Sequence, residues 1–159
     1  MTQLHAVGLE VNPAEETIFV GPLGIRFLLT GENSSGSVAT FEMTVPPTEG
    51  LPAPPHSHNG YEETAYGLSG VLTVTVEGKT FEINPGQAAC VPRGAVHSFR
   101  NNTAQNAKVL CIITPAAIGP EYFREIAAVL KAAAGGPPDR AKMVEIMHRH
   151  GLKPGLPPA

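Results

Sequence analysis

The sequence predicts an all-β barrel closed by two C-terminal α-helices, and three observations predict it. Short apolar or β-branched runs follow one another between glycines and prolines, of which the 159 residues contain 17 and 16, set singly or in pairs. That is the punctuation of many short strands. His56, His58, Glu63 and His97 fall on three separate strand-like runs, and side chains from non-adjacent strands converge only if the sheet curls. After Pro115 the apolar spacing changes from two to that of a helix.

Met1 to Glu16 carries little pattern and reads as an arm, either disordered or adding a strand to a neighbour's sheet. Thr17–Val20 and Ile25–Thr30 are β-rich, with Gly21-Pro22-Leu23-Gly24 as the turn between them. Gly31 to Gly36 is turn-like. Ser37 to Val45 alternates, so Ala39, Phe41, Met43 and Val45 share one face, assigned to the interior. Pro46-Pro47 ends that strand, and the proline-rich loop to Pro55 delivers His56 stiffly, because each proline fixes φ.

His56 and His58 are two apart, so on a strand both leave the same face. From Glu62 onward, an extended chain points Glu62 and Glu63 to opposite faces. Ala65 and Gly67 accompany Glu63, while Thr64, Tyr66 and Leu68 face away. Val71–Glu77 and Lys79–Ile83 form a hairpin around Gly78. Pro85-Gly86 turns into the short strand Gln87–Val91, and Pro92-Arg93-Gly94 leads to the strand of His97, with Phe99 on the same face. Asn101 is a turn-stabilising amide and Arg93 faces solvent. Ala107 to Thr114 is almost continuously apolar and reads as a strand buried on both faces.

Gly119-Pro120-Glu121 opens a helix with an apolar stripe of Tyr122, Phe123, Ile126, Val129 and Leu130, stopped by Gly135-Gly136. Asp139 caps a second helix that buries Met143, Ile146 and Met147 and ends at Gly151. His148 and His150, in its last turn, suit the negative end of the dipole. Leu152–Ala159 reads as a proline-rich tail. One domain results, in three parts: 1–36 (arm and first strands), 37–115 (barrel) and 116–159 (helices and tail).

Three imidazoles and a carboxylate suit a divalent first-row transition metal. The order of residues carries more. Gly50-x5-His56-x-His58-x4-Glu63-x6-Gly70 and Gly86-x5-Pro92-x-Gly94-x2-His97-x3-Asn101 resemble the two motifs of the cupin superfamily at every defining position. Among cupins the chain is similar to the small, single-domain, quercetin-dioxygenase-like group. The resemblance implies a double-stranded β-helix, or jelly-roll, and a homodimer. It implies a metal (Fe, Mn, Ni, Co, Cu or Zn) held by His56, His58, Glu63 and His97. The spacing to Gly70 selects Glu63 over Glu62, which is left as a surface carboxylate. In quercetinases the matching glutamate is thought to be the base, which implies a catalytic role for Glu63.

The substrate pocket is expected to include Phe41, Met43, Tyr61 at the rim, Gly67, whose missing side chain leaves room near the ion, and Phe99 as an apolar wall. The expected activity is that of a metal-dependent dioxygenase acting with O2 on a flavonol, catechol or enolisable small molecule. A metal-dependent lyase or isomerase, and a non-catalytic binding or sensing module, are the alternatives.

The net charge of −3 and pI near 6.0 supply no basic patch for nucleic acid or an anionic membrane. No apolar run approaches the roughly 20 residues of a spanning helix, and no secretory pattern opens the chain. A cytoplasmic protein is expected, with Cys90 and Cys111 as buried thiols and a disulfide between them as the alternative.

Overall fold

A computed structural model describes residues 11, 15–48 and 54–155. The expected arm lies mostly outside these residues. The chain enters as a hairpin, β1 (Ile18–Val20) and β2 (Leu23–Leu29), paired antiparallel with Val20 opposite Leu23. Gly21-Pro22 alone makes the turn, so Leu23 and Gly24 belong to the strand rather than to the loop. In β3 (Ala39–Val45) the four predicted interior residues are buried and the alternate ones are not. β4 (His56–His58) is short. β5 (Glu62–Ser69) buries Glu63, Ala65 and Gly67 and exposes Tyr66 and Leu68, as its alternation requires.

β6 (Leu72–Val76) and β7 (Lys79–Ile83) form the expected hairpin. Glu77 and Gly78 at its bend both have positive φ, the pair of conformations a tight two-residue turn needs. β8 (Ala88–Val91), β9 (His97–Arg100) and β10 (Ala107–Thr114) complete the barrel strands. Helices α1 (Pro120–Ala132) and α2 (Arg140–Arg149) follow, and Asp139 caps α2 by accepting a 3.0 Å hydrogen bond from the Lys142 amide. A last strand, β11 (Leu152–Pro154), corrects the expectation of a plain tail.

Two antiparallel sheets face one another. One runs β1-β2-β3-β10-β5-β8 and the other β11-β4-β9-β6-β7. This is a jelly-roll barrel, and its interior holds Ile25, Phe27, Phe41, Val45, Leu72, Val74 and Ile113. Inside the first sheet, β10 lies between β3 and β5. It is not buried on both faces: Ala107, Val109, Cys111 and Ile113 are buried, while Lys108, Leu110 and Ile112 are half-buried on the outside. Its apolar run fills the core with one face and the outer sheet surface with the other. Cys90 is exposed, because β8 is the edge strand of that sheet; Cys111 is buried, and both are free thiols.

The helices roof the barrel. Phe123 of α1 meets Phe27 and Phe41 with ring centroids 5.8 and 5.3 Å apart. The end of α2 is tied back to α1 by Glu125, which accepts from His150 Nε2 at 3.0 Å and pairs with Arg149. His150 therefore has a structural partner beyond the helix dipole.

Candidate metal centre

The two sheets bring the motif residues together from opposite sides. Glu63 comes from β5 in the first sheet. His56 and His58 (β4) and His97 (β9) come from the second. β4 is anchored on both edges. It pairs with β9 through His56 and His97, and with β11 through Leu152 opposite His58 and Pro154 opposite His56. The last described residues thus help to place the histidine strand. Gly94, in the turn before His97, donates its amide to the His58 carbonyl at 2.9 Å. Glu77 clamps the entry to β9: its carboxylate accepts the Val96 amide at 2.6 Å and its own amide donates to the Val96 carbonyl at 2.9 Å.

All three rings are fixed by the same device. His56 Nδ1 donates to the Pro54 carbonyl at 2.9 Å, His58 Nδ1 to Tyr61 at 2.9 Å, and His97 Nδ1 to Ala95 at 3.0 Å. A carbonyl only accepts, so each Nδ1 carries the proton and each neutral ring turns an Nε2 lone pair outward. For His58 and His97, both 1% exposed, that Nε2 is fully buried and has no hydrogen-bond partner. Each lies 3.4 Å from Glu63 Oε2.

Two lone pairs facing a buried carboxylate repel unless positive charge stands among them. A metal cation fits that need. The ligand atoms of His58, Glu63 and His97 all lie within 4.8 Å of one another. Two ligands about 2.1 Å from one ion sit about 3–3.4 Å apart at octahedral or tetrahedral angles.

His56 stands outside this trio. It is half-buried at the start of β4, with its ring centroid 4.5 Å from that of His97 and 6.2 Å from that of His58. The structure therefore brings three of the four expected ligands into one cluster and leaves His56 beside it, facing the adjoining cavity.

In the metal-free protein a proton on a ring Nε2 supplies that positive charge instead. Burial disfavours ionisation of Glu63, but the nearby His58 and His97 imidazoles outweigh it and hold the carboxyl down at about 2. Burial lowers His56 to about 4, with His97 adding to the effect. Burial also opposes protonation of His97, yet Glu63 wins and raises it. Glu62 points outward and its carboxylate takes the Arg93 guanidinium at 2.8 and 3.1 Å, as a surface pair. Asn101 is the predicted turn amide: it donates to the Val45 and Gln105 carbonyls and accepts from Thr103.

A cavity of about 70 Å³ opens beside Glu63 and His56. Phe41, Met43, Tyr61 and Phe99 line it. Gly67 does not. A Cβ there would lie 2.2 Å from the Asn84 carbonyl oxygen, so the glycine makes room for the Asn84-Pro85 backbone and not for a ligand. Sequence reasoning missed Tyr122 and Phe123 of α1, Ile118 before it, Leu23, and Leu152 of β11 as lining residues. The stripe spacing of α1 was visible, but not which barrel opening it covers.

The Cupin domain family matches residues 41–113, the stretch that carries all four residues. Residues 41–113 are a cupin domain. Quercetin 2,3-dioxygenase of Bacillus subtilis (strain 168) is 32% identical over 71 residues, 45% of this chain and 20% of that protein. A protein of Aquifex aeolicus (strain VF5) is 33% identical over 70 residues, 44% of this chain and 57% of its own. The chain thus spans a fifth and somewhat over half of these two curated relatives. Among solved structures, a predicted oxalate decarboxylase from Thermotoga maritima superposes with a TM-score of 0.55, at 26% identity, over 63% of this chain and 90% of that one. No helix among the described residues is long and apolar enough to cross a membrane. This cupin domain has a His-Glu-His cluster able to hold a divalent metal.

Proposed function

We propose that this cupin is a metal-dependent oxidoreductase of dioxygenase type that acts with O2 on a small enolisable molecule. The observation that supports the reading most is the pair of buried, partnerless Nε2 atoms aimed at Glu63 beside a cavity. His58, His97 and Glu63 would hold the ion, and His56, beside them, would be the fourth ligand. A bound Fe, Mn, Ni, Co, Cu or Zn ion would supply Lewis acidity and, for the redox-active metals, a path for electrons between substrate and O2. Glu63, on leaving the ion, would accept the proton of the substrate hydroxyl. Phe41, Met43 and Phe99 give the substrate an apolar wall and keep water from it.

The partial likeness to quercetin 2,3-dioxygenase supports the reaction class. The cavity, about 70 Å³ against roughly 300 Å³ and more for a pocket that takes a drug-sized ligand, favours the small enolisable end of the substrate range over a flavonol. O2 uptake by protein loaded with each metal in turn, offered enolisable acids, diketones and catechols, tests the reading. Uptake that depends on metal and on substrate supports it, and no uptake across the panel overturns it. A metal-dependent lyase is the second reading, supported by the likeness to the predicted oxalate decarboxylase; release of CO2 without O2 consumption favours it.

The same proposal includes a homodimer in the cytoplasm. Tyr66 and Leu68, each 39% exposed, lie on the outside of the first sheet near half-buried Leu110, a surface suited to a second copy. A monomer mass in sedimentation refutes that part.

A further inference from the structure

Two phenols are left over once the metal cluster is accounted for. Tyr61, in the turn between β4 and β5, and Tyr122, in the first turn of α1, line the cavity with Glu63 and His56. They are 3% and 6% exposed, and neither hydroxyl makes a hydrogen bond with any described residue. Neither hydroxyl is among the fully buried unpartnered atoms, so the rings are buried while their polar ends reach open space.

Both rings are nevertheless held. Tyr61 stacks on His58 at 3.8 Å and 11°, and its carbonyl takes the His58 Nδ1 proton. Tyr122 meets Phe123 and His150 edge-on at 5.0 and 5.5 Å. Ring packing fixes the phenols, while their polar ends have no partner among the described residues.

We propose that Tyr61 and Tyr122 are specificity-determining donors that grip an oxyanion of the substrate, which makes that substrate a small enolisable oxo acid. The proposal rests on the reading of the preceding subsection and names its substrate class. A phenol donates one hydrogen bond and accepts others. A cationic ligand is disfavoured beside a metal, so the acceptor is an oxygen of the ligand. Hydrogen bonds to an ionised oxygen are about twice as strong as neutral ones. A divalent ion with neutral imidazoles and one carboxylate keeps a net positive charge, which also favours an anion. A phenol ordinarily titrates near 10, so both hydroxyls carry a proton to donate at neutral pH. The remaining wall is apolar and the space is small, which excludes large polar ligands.

The test uses the full chain loaded with Co(II), titrated with pyruvate and with its neutral isostere 2,3-butanedione. Tyr61→Phe and Tyr122→Phe keep the rings and remove only the hydroxyls. Wild type should bind pyruvate better than 2,3-butanedione. Each variant should lose about tenfold or more in pyruvate affinity, with 2,3-butanedione binding, cobalt content and melting temperature unchanged. The proposal is overturned if pyruvate does not bind or binds no better than the dione. It is equally overturned if the variants bind pyruvate within about twofold of wild type, or if they shed the metal, which makes the tyrosines structural. O2 uptake on the same samples separates the two readings. Hydroxyl-dependent pyruvate binding without uptake keeps the donors and rejects the dioxygenase; uptake with unaltered pyruvate affinity does the reverse.

Discussion

Gly67→Ala distinguishes a backbone role from a pocket role for this glycine. The added Cβ would stand 2.2 Å from the Asn84 oxygen and 2.8 Å from the Asn84 carbon, both backbone atoms that no rotamer can move aside. The turn it strikes is hydrogen-bonded to Gly67 twice, by the Gly67 amide to the Gln87 carbonyl at 2.8 Å and by the Gly86 amide to the Gly67 carbonyl at 3.0 Å. Overpacking of this kind costs about 1–3 kcal/mol, and each hydrogen bond loosened adds about 0.5–1.5 kcal/mol. A loss of about 2–4 kcal/mol follows, or roughly 5–15 °C in melting temperature for a domain of this size. Thermal unfolding of the metal-free variant reads it. Metal affinity should change little, because Gly67 lines neither the cluster nor the cavity. A variant with unaltered melting temperature and altered metal or ligand affinity refutes the reasoning and restores Gly67 to the pocket.

β11 supports the ligand strand, so a chain ended at Gly151 should bind zinc about tenfold more weakly or worse; calorimetric titration showing equal affinity contradicts this. His56 should make the metal-free protein sensitive to acid. Its folded pKa, about 4, lies below the ordinary 6.5, so the unfolded chain takes up the proton first. The contribution is complete above about 6.5 and lost as pH falls toward 4. Urea midpoints at about pH 7 and about pH 4.5 should therefore converge between wild type and His56→Gln as the pH drops. A wild type that keeps its full advantage at the lower pH refutes the shift. His97, raised rather than lowered, acts in the opposite sense, present below 6.5 and lost as pH rises, and the His56 comparison leaves it in place.

The strands and the three residues that cluster, His58, Glu63 and His97, were legible because both depend on local spacing. Alternation in Ala39–Val45 and around Glu63 set which side chains turn inward, and both faces stand as read. What was not legible depends on pairing between distant segments. Leu152–Pro154 is three residues among prolines and has no strand signature of its own; it is a strand only because β4 offers it an edge. Cys90 sits in an apolar run yet is exposed, because β8 falls at the edge of the sheet. The β10 run looked buried on both faces because composition does not distinguish a core from a half-covered outer surface. Tyr122 read as one member of a helical stripe, and only docking of α1 on the barrel turns it into a wall of the cavity.

Metal titration of four purified variants tests the centre most directly: His58→Ala, His97→Ala, Glu63→Gln and, as control, Glu62→Gln. The first three should each lose tight binding of a divalent transition metal while circular dichroism shows the β-barrel intact, since its core is built from other residues. Glu62→Gln, which disturbs only a surface pair with Arg93, should bind one ion per chain as wild type does. Tight, stoichiometric binding that survives loss of His58, His97 and Glu63 would contradict the account.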